Sequence, residues 1–129
     1  MEKGQSVINT GFCEIWFETK EILRVRIVEG AEMDLTAMKD CFSVYRQILG
    51  RKKIAQLIDA RAVCSVTTEA KEYSAMHSQD FFRATALVTD QLSVRLLVNF
   101  YNKLHQHPVP FEIFKTEEEA RMWLKQLAR

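Results

Sequence analysis

Two short apolar segments, separated by a stretch of helical character, constrain the fold of this chain more than any other feature. Residues 54–59 and 84–89 are mostly apolar and lack the regular alternation of a strand that has one face in water. They are typical of strands buried on both faces, and a helix between two such strands implies a right-handed crossover. We therefore expect a largely parallel sheet packed against helices.

An antiparallel hairpin is predicted in front of the first buried strand. Residues 12–18 put apolar side chains on one side, and residues 22–28 alternate aliphatic residues with Arg24 and Arg26. The short polar link 19–21 joins the two segments, although it lacks the Asn-Gly pair of the tightest turns. This hairpin adds antiparallel pairing to the sheet.

Capping residues predict where the helices begin. A Ser, Thr or Asp side chain accepts a hydrogen bond from a free amide of the first helical turn. Such residues precede three segments that have apolar residues at helical spacing. The predicted caps of these helices, in chain order, are Asp34, either Thr67 or Thr68, and Thr116. Gly50 suits the end of the first helix, and Glu119 completes a capping box with Thr116. A further helix is predicted over 91–104.

These segments give the element order β-β-α-β-α-β-α-β-α, with a last strand at 111–114. The fold class is therefore α/β, with a mixed, mostly parallel sheet; an α+β arrangement with all helices on one face is the alternative. A chain of 129 residues has the size of one domain, which we place at 1–129. Whether residues 1–10 are ordered is left open.

Charge and cysteine content limit the class of protein. Lys and Arg number 18 and Asp and Glu 17, so the net charge of +1 excludes a globally basic nucleic-acid binder. Cys13, Cys41 and Cys64 are irregularly spaced and odd in number, which favours buried thiols in a reducing compartment. The N-terminus lacks the apolar region of a signal peptide, and no apolar run approaches the ~20 residues of a transmembrane helix. We expect a cytoplasmic protein.

Polar residues are predicted to collect where the carboxyl ends of the strands meet. Asp59 ends one buried strand, Asp90 follows the next, and Thr116 follows the last. Ligands of open α/β sheets usually bind at this edge, where the amides that open the helices at Thr68 and Glu117 can hold an anion. Because turns and N-caps need the same residue types, a purely structural role is the alternative.

Catalytic and metal-binding motifs are missing from the sequence. It contains no phosphate loop, no nucleophile elbow and no His-Glu-x-x-His helix. His105 and His107 have no third ligand fixed nearby, and His77 falls on the apolar face of its helix. We therefore predict no catalytic residue, no metal and no cofactor.

The predicted helix 91–104 carries more apolar residues than one sheet-facing side needs. Leu96, Phe100 and Tyr101 are the candidates for an interface that would cover the surplus. A homodimer or an apolar ligand fits this interpretation, and burial inside the monomer is the alternative.

Residues 111–127 resemble the closing strand and helix of the SpoIIAA-like branch of the STAS-like proteins. In that branch a phenylalanine strand leads into an acidic capping turn, which Ala, Trp and Leu follow. The matching residues here are Phe114, Thr116, Glu117 to Glu119, Ala120, Trp123 and Leu124. The strand that ends in Asp59 and the segment 84–89 fit as well, so the resemblance extends roughly from residue 12 to residue 127.

The resemblance implies a small bacterial protein with a non-enzymatic regulatory or protein-interaction role. In partner-switching members, a Ser at the start of the helix after the third strand is phosphorylated. Ser65, Thr67 and Thr68 occupy that region here, but the Asp and Gly of the family's turn are missing. We expect a regulatory protein partner; the alternative is a carrier or sensor of a small apolar or anionic ligand at the strand edge.

Overall fold

A mixed six-stranded sheet forms the centre of the chain in the computed structural model, which describes residues 6–62, 65–92, 95–96 and 109–127. In chain order the elements are β1 (Ile8–Asn9), β2 (Cys13–Thr19), β3 (Ile22–Ile27), β4 (Glu32–Met33), α1 (Leu35–Leu49), β5 (Ile54–Asp59), β6 (Ser65–Val66), α2 (Thr68–His77), a 3-10 turn (Ser78–Asp80), β7 (Phe82–Val88), β8 (Phe111–Phe114) and α3 (Glu117–Leu127). Within this part of the chain, no helix is both long and apolar enough to cross a membrane.

The strand order of the main sheet is β1-β2-β3-β5-β7-β8, and β4 pairs with β6 in a separate small sheet. β1, β2 and β3 are antiparallel, whereas β3, β5, β7 and β8 run parallel to one another. Val25 lies opposite Ile58, which in turn lies opposite Leu87. The predicted mixed, mostly parallel sheet is confirmed.

Helices cover both faces of this sheet. Neighbouring residues of a strand point to opposite faces of the sheet. On one face, Leu23 of β3 packs with α1; on the other face, Leu57 of β5 packs with Ala120 and Leu124 of α3. We call these two sides the α1 face and the α3 face. The alternative arrangement, with all helices on one face, is wrong. The apolar side of α3 packs on small apolar strand residues of the α3 face, which is opposite to the face that α1 covers.

Aromatic side chains fill the α1 face. The ring of Phe42 lies 5.0 Å from Tyr45, 5.3 Å from Tyr73 and 5.8 Å from Phe81, each in an edge-on geometry that aromatic pairs favour. Buried polar groups on this face are satisfied, since Gln56 donates to the hydroxyl of Tyr45 at 2.9 Å and accepts from Thr85 at 3.1 Å. This side of the sheet is a conventional packed core.

Most of the predicted element boundaries are confirmed. Asp34 accepts from the amide of Ala37, and Gly50 takes a φ of +59°, which favours glycine. β7 begins at Phe82, earlier than the predicted 84–89, because Phe82 pairs with Ile54 at the start of β5. The two-residue strands β1, β4 and β6 are too short for an alternation pattern to reveal.

Some sequence predictions fall outside the described residues. These are most of the helix 91–104, with Phe100 and Tyr101, and also Cys64, His105 and His107. Within the described part, the amide of Arg95 donates to the carbonyl of Gln91 at 3.0 Å, as in a helical turn.

Candidate functional site

The carboxyl ends of the parallel strands carry a network of paired charges. Asp59, at the end of β5, accepts two hydrogen bonds from the guanidinium of Arg61, at 2.9 and 2.8 Å, and one from its backbone amide at 3.1 Å. This bidentate pairing fixes both side chains, because the planar guanidinium matches the two carboxylate oxygens. Asp59 is thus held in place by the residue two positions after it.

Arg24 lies in the middle of the network and is almost completely buried. It projects from β3 onto the α3 face, where it binds Glu18 of the neighbouring strand at 3.0 Å and also contacts Glu117. The carboxylate of Asp59 lies 3.9 Å from it, and the ring of Trp16 lies 5.4 Å from its guanidinium carbon. Arg24 therefore joins the antiparallel hairpin to the parallel half of the sheet.

The first turns of α3 complete the network. Arg121 binds Glu18 through two hydrogen bonds, at 2.7 and 2.8 Å, and Glu117 at 3.2 Å. Glu117 also accepts from Arg61 at 2.8 Å. Among the residues that the structure describes, the network consists of three arginines and three carboxylates, and these are Arg24, Arg61, Arg121, Glu18, Asp59 and Glu117. We call it the ion-pair network.

The electrostatics of the network favour the ionised form of two of its carboxylates, Glu18 and Asp59. Burial opposes the charge of Glu18, but hydrogen bonds from Arg121 and Arg24 outweigh it and hold the pKa of Glu18 below its ordinary value. Burial likewise opposes the charge of Asp59, whose pKa is nevertheless lowered by the side chain and amide of Arg61. A carboxylate with a lowered pKa is a weaker base at neutral pH, so Glu18 and Asp59 are better suited to fixing geometry than to accepting protons.

Of the residues predicted at the strand edge, Asp59 enters the network directly. Thr116 acts as the cap of α3, because its hydroxyl accepts from the amide of Glu119 at 3.2 Å, and this start places Glu117 beside Arg61. Asp90 is exposed, and its negative charge helps to raise the pKa of Arg61, after the larger effect of the hydrogen bond to Asp59. The edge is therefore occupied by the chain's own ion pairs.

Ser65, Thr67 and Thr68 lie at the start of α2, which the small sheet attaches to the start of α1. The amide of Thr67 donates to the carbonyl of Met33 at 3.0 Å, and its hydroxyl accepts from the amide of Ala70 at 3.1 Å. Thr67 is thus the cap, while the side chains of Ser65 and Thr68 are exposed. Leu96, the predicted interface residue that the structure describes, is 59% exposed, and Leu92 is 63% exposed.

Sequence reasoning did not identify the other five members of the ion-pair network as site residues. Two signals for them exist. Arg24 lies opposite Trp16, and Glu14 lies opposite Arg26 two residues further along, so the hairpin register puts opposite charges on the face that carries Arg24. Glu117 and Arg121 are four residues apart, the spacing at which charges pair on a helix.

A groove of about 300 Å³ lies at the opposite edge of the sheet, where the parallel strands begin. Its floor is apolar and two lysines stand at its rim; the lining residues are Phe17, Lys20, Ile48, Leu49 and Lys52. Among the residues that the structure describes, no group of three His, Cys, Asp or Glu side chains is placed to hold a metal ion.

The fold is that of the SpoIIAA-like proteins. An uncharacterized protein of the DUF3478 family from Shewanella loihica PV-4, described as having this fold, superposes with a TM-score of 0.64 at 16% identity, over 96% of this chain and 98% of that one. An anti-sigma factor antagonist from Mycobacterium paratuberculosis gives 0.65 at 12% identity, over 97% and 99%. The phosphorylated Bacillus cell fate determinant SpoIIAA gives 0.58 at 14% identity, over 86% and 97%.

The particular family follows from the sequence itself. Residues 15–128 match the family described as "Domain of unknown function (DUF7793)", and the chain belongs to it. Among curated proteins, none matches this chain. The fold thus groups the chain with the SpoIIAA-like proteins, while its own family is described as one of unknown function.

Proposed function

We propose that this chain is a cytoplasmic, non-enzymatic regulatory module that acts by binding a protein partner. The observation that carries the proposal is the likeness of its fold, over nearly the whole chain, to anti-sigma factor antagonists. The ion-pair network supports it, because the arginines lower the pKa values of Glu18 and Asp59 and so make them weak bases that suit a rigid scaffold better than proton transfer.

The start of α2 is the proposed regulatory surface. Ser65 and Thr68 are exposed there and their hydroxyls can accept a phosphate, whose charge the positive end of a helix tolerates. Thr67 is a poorer acceptor because its hydroxyl already caps the helix. Asp59, Asp90 and Thr116 shape the neighbouring strand edge, which we propose as the rest of the partner surface.

A charge placed on this surface tests the proposal. Thr68→Glu should weaken capture of the partner about tenfold in quantitative affinity purification, since one misplaced charge costs about 1.4 kcal/mol or more. Thr36→Glu is the matched control, because Thr36 is an exposed threonine in the first turn of α1. Equal capture of the same protein by both variants would contradict the proposed surface.

Self-association through the exposed leucines is part of the proposal. Leu92 and Leu96 are four residues apart, so they share one side of a helical turn. We propose a homodimer that covers Leu96, together with Phe100 and Tyr101. Light scattering should show a dimer mass for the native chain and a monomer mass for Leu96→Glu; a monomer in both cases argues against the dimer.

Binding of a small ligand is a second candidate function, which the groove between Phe17 and Ile48 favours. Its volume lies at the lower end of the range for small-molecule pockets, and the rim lysines suit an apolar anion such as a carboxylate with a short alkyl chain. Calorimetric titration should detect decanoate but not decanol, and Lys20→Gln should weaken the signal while Lys53→Gln leaves it unchanged. Heat from neither compound would remove this candidate.

A further inference from the structure

Two buried thiols that the proposed function does not use lie in contact. Cys13 projects from β2 and Cys41 from α1, and their sulfur atoms are 3.2 Å apart although 28 residues separate them in the chain. Cys13 is 0% exposed and Cys41 is 1% exposed. The fold therefore brings together two nucleophilic groups that no local sequence motif pairs.

A small cavity of about 50 Å³ adjoins these sulfurs. The residues that matter for its chemistry are Cys13, Cys41, Met33, Met38, Tyr45 and Gln56. The thioether of Met33 lies 4.0 Å from the sulfur of Cys13. Since one water needs about 10–15 Å³ measured in this way, the cavity has room for a molecule of two oxygen atoms.

The two thiols differ in acidity. The hydrogen bond with Cys13 and a second one with Thr10 lower the pKa of Cys41, although burial opposes this. The same contact with Cys41, followed by burial, raises the pKa of Cys13. Cys41 is thus the thiol that ionises first, and the thiolate is the reactive form of cysteine.

We propose that Cys13 and Cys41 form a peroxide-reactive dithiol that closes to an intramolecular disulfide linking β2 to α1. The thiolate of Cys41 attacks one oxygen of hydrogen peroxide, the O–O bond breaks, and hydroxide leaves with the second oxygen. The sulfur of Cys13 then attacks the sulfur of the sulfenic acid on Cys41, the S–O bond breaks, and the sulfenic hydroxyl leaves as water with the proton of Cys13. The hydroxide from the first step takes up the proton that Cys41 lost on ionising. In sum, two thiols lose two electrons and one peroxide becomes two waters.

Proximity is the reason that this pair reacts with itself in the folded chain. The resolving sulfur already lies 3.2 Å from the sulfur of Cys41, so ring closure needs no search by the chain. The cavity is the place where the oxidant reaches Cys41. This thiol chemistry requires neither a protein partner nor the start of α2.

Peptide mapping after oxidation tests the proposal on the full native chain. The reduced protein is treated with hydrogen peroxide, alkylated with iodoacetamide in denaturant, and digested. We expect one cross-linked species that joins Cys13 to Cys41, with Cys64 alkylated, and formation about tenfold faster in the folded than in the urea-unfolded chain. Cys64→Ala should behave as the native chain, while Cys41→Ala should show no cross-link.

Three outcomes would overturn the proposal, and the native chain alone reveals each of them. In the first, both thiols can still be alkylated after treatment with a peroxide concentration that oxidises dithiothreitol. In the second, the disulfide that forms includes Cys64. In the third, Cys41 is oxidised to sulfinic acid and no cross-link forms. Because the mapping needs no variant, a failure of Cys41→Ala to fold leaves these readings unaffected.

Discussion

The two faces of the sheet are stabilised in different ways, although the same strands supply both. On the α1 face, β2 and β3 contribute Ile15, Leu23 and Val25, which pack into an apolar core. On the α3 face, the same strands contribute Glu18 and Arg24, which α3 reaches with charged side chains. The comparison shows that a strand can face apolar packing on one side and buried ion pairs on the other.

This difference follows from where α3 lies. Its apolar residues Ala120 and Leu124 pack over β5 and β7, whose residues Ala84 and Ala86 are small enough for a close approach. The hairpin strands lie farther toward the edge, and there the long side chains of Arg24 and Arg121 fill the space. Apolar packing stabilises the centre of the α3 face, and charge pairing stabilises its side.

The largest expected effect tests the packed face. Phe42→Ala should lower the free energy of unfolding by about 4 kcal/mol, because a buried ring that contacts three other aromatic side chains leaves a cavity. Trp123→Ala on the α3 face should cost about 2 kcal/mol, since Trp123 is only partly buried. Urea unfolding followed by circular dichroism measures both values, and equal losses would remove the distinction between the faces.

The next effect tests the ion-pair network. Arg24→Met should cost about 2 kcal/mol, because it leaves three carboxylates with two arginines in a partly buried site. Arg26→Met is the matched control on the same strand and should cost less than about 0.5 kcal/mol, since the side chain of Arg26 is 48% exposed. Similar urea midpoints for the two variants would show that the network adds no more than a surface pair.

The helix caps should contribute equally on the two faces. Thr67→Ala on α2 and Thr116→Ala on α3 each remove a hydroxyl that accepts a first-turn amide, at 3.1 and 3.2 Å. Each should cost about 1 kcal/mol in urea unfolding. A cost well above this for Thr116→Ala alone would mean that the cap also holds Glu117 in the ion-pair network. The loss of the cap would then include part of the loss expected when the network is broken.

The smallest effect is a loss of stability in mild acid. Glu18 and Asp59 have pKa values below their ordinary 4.5 and 3.8, so their contribution is complete at neutral pH and is lost as the pH falls through the lowered values. The urea midpoint should therefore change little from pH 7 to pH 5 and decrease progressively below about pH 4. Arg24→Met should show a weaker decrease; a steeper one would contradict the assignment.

The sequence predicted the α1 face better than the α3 face. Alternation, the cap at Asp34 and helical spacing located the strands and α1 because these signals depend on neighbours along the chain. Asp59 ends its strand as the sequence predicted, but Arg24, which lies beside it, comes from β3, and Glu117, which binds Arg61, comes from α3, so their assembly depends on the tertiary fold. The contact between Cys13 and Cys41 is equally non-local, which explains why the cysteines looked like isolated buried residues.

The balanced charges of the ion-pair network have a consequence for how this sequence can diverge. Replacing any one of its six members leaves an unpaired charge in a partly buried site, which evolution tolerates poorly. Substitutions at these positions are therefore expected to accumulate in compensating pairs of one cation and one anion. The pair of Arg26 and Glu14 is a single ion pair whose arginine is 48% exposed, so these two positions should vary more independently of each other among descendants of the same ancestor.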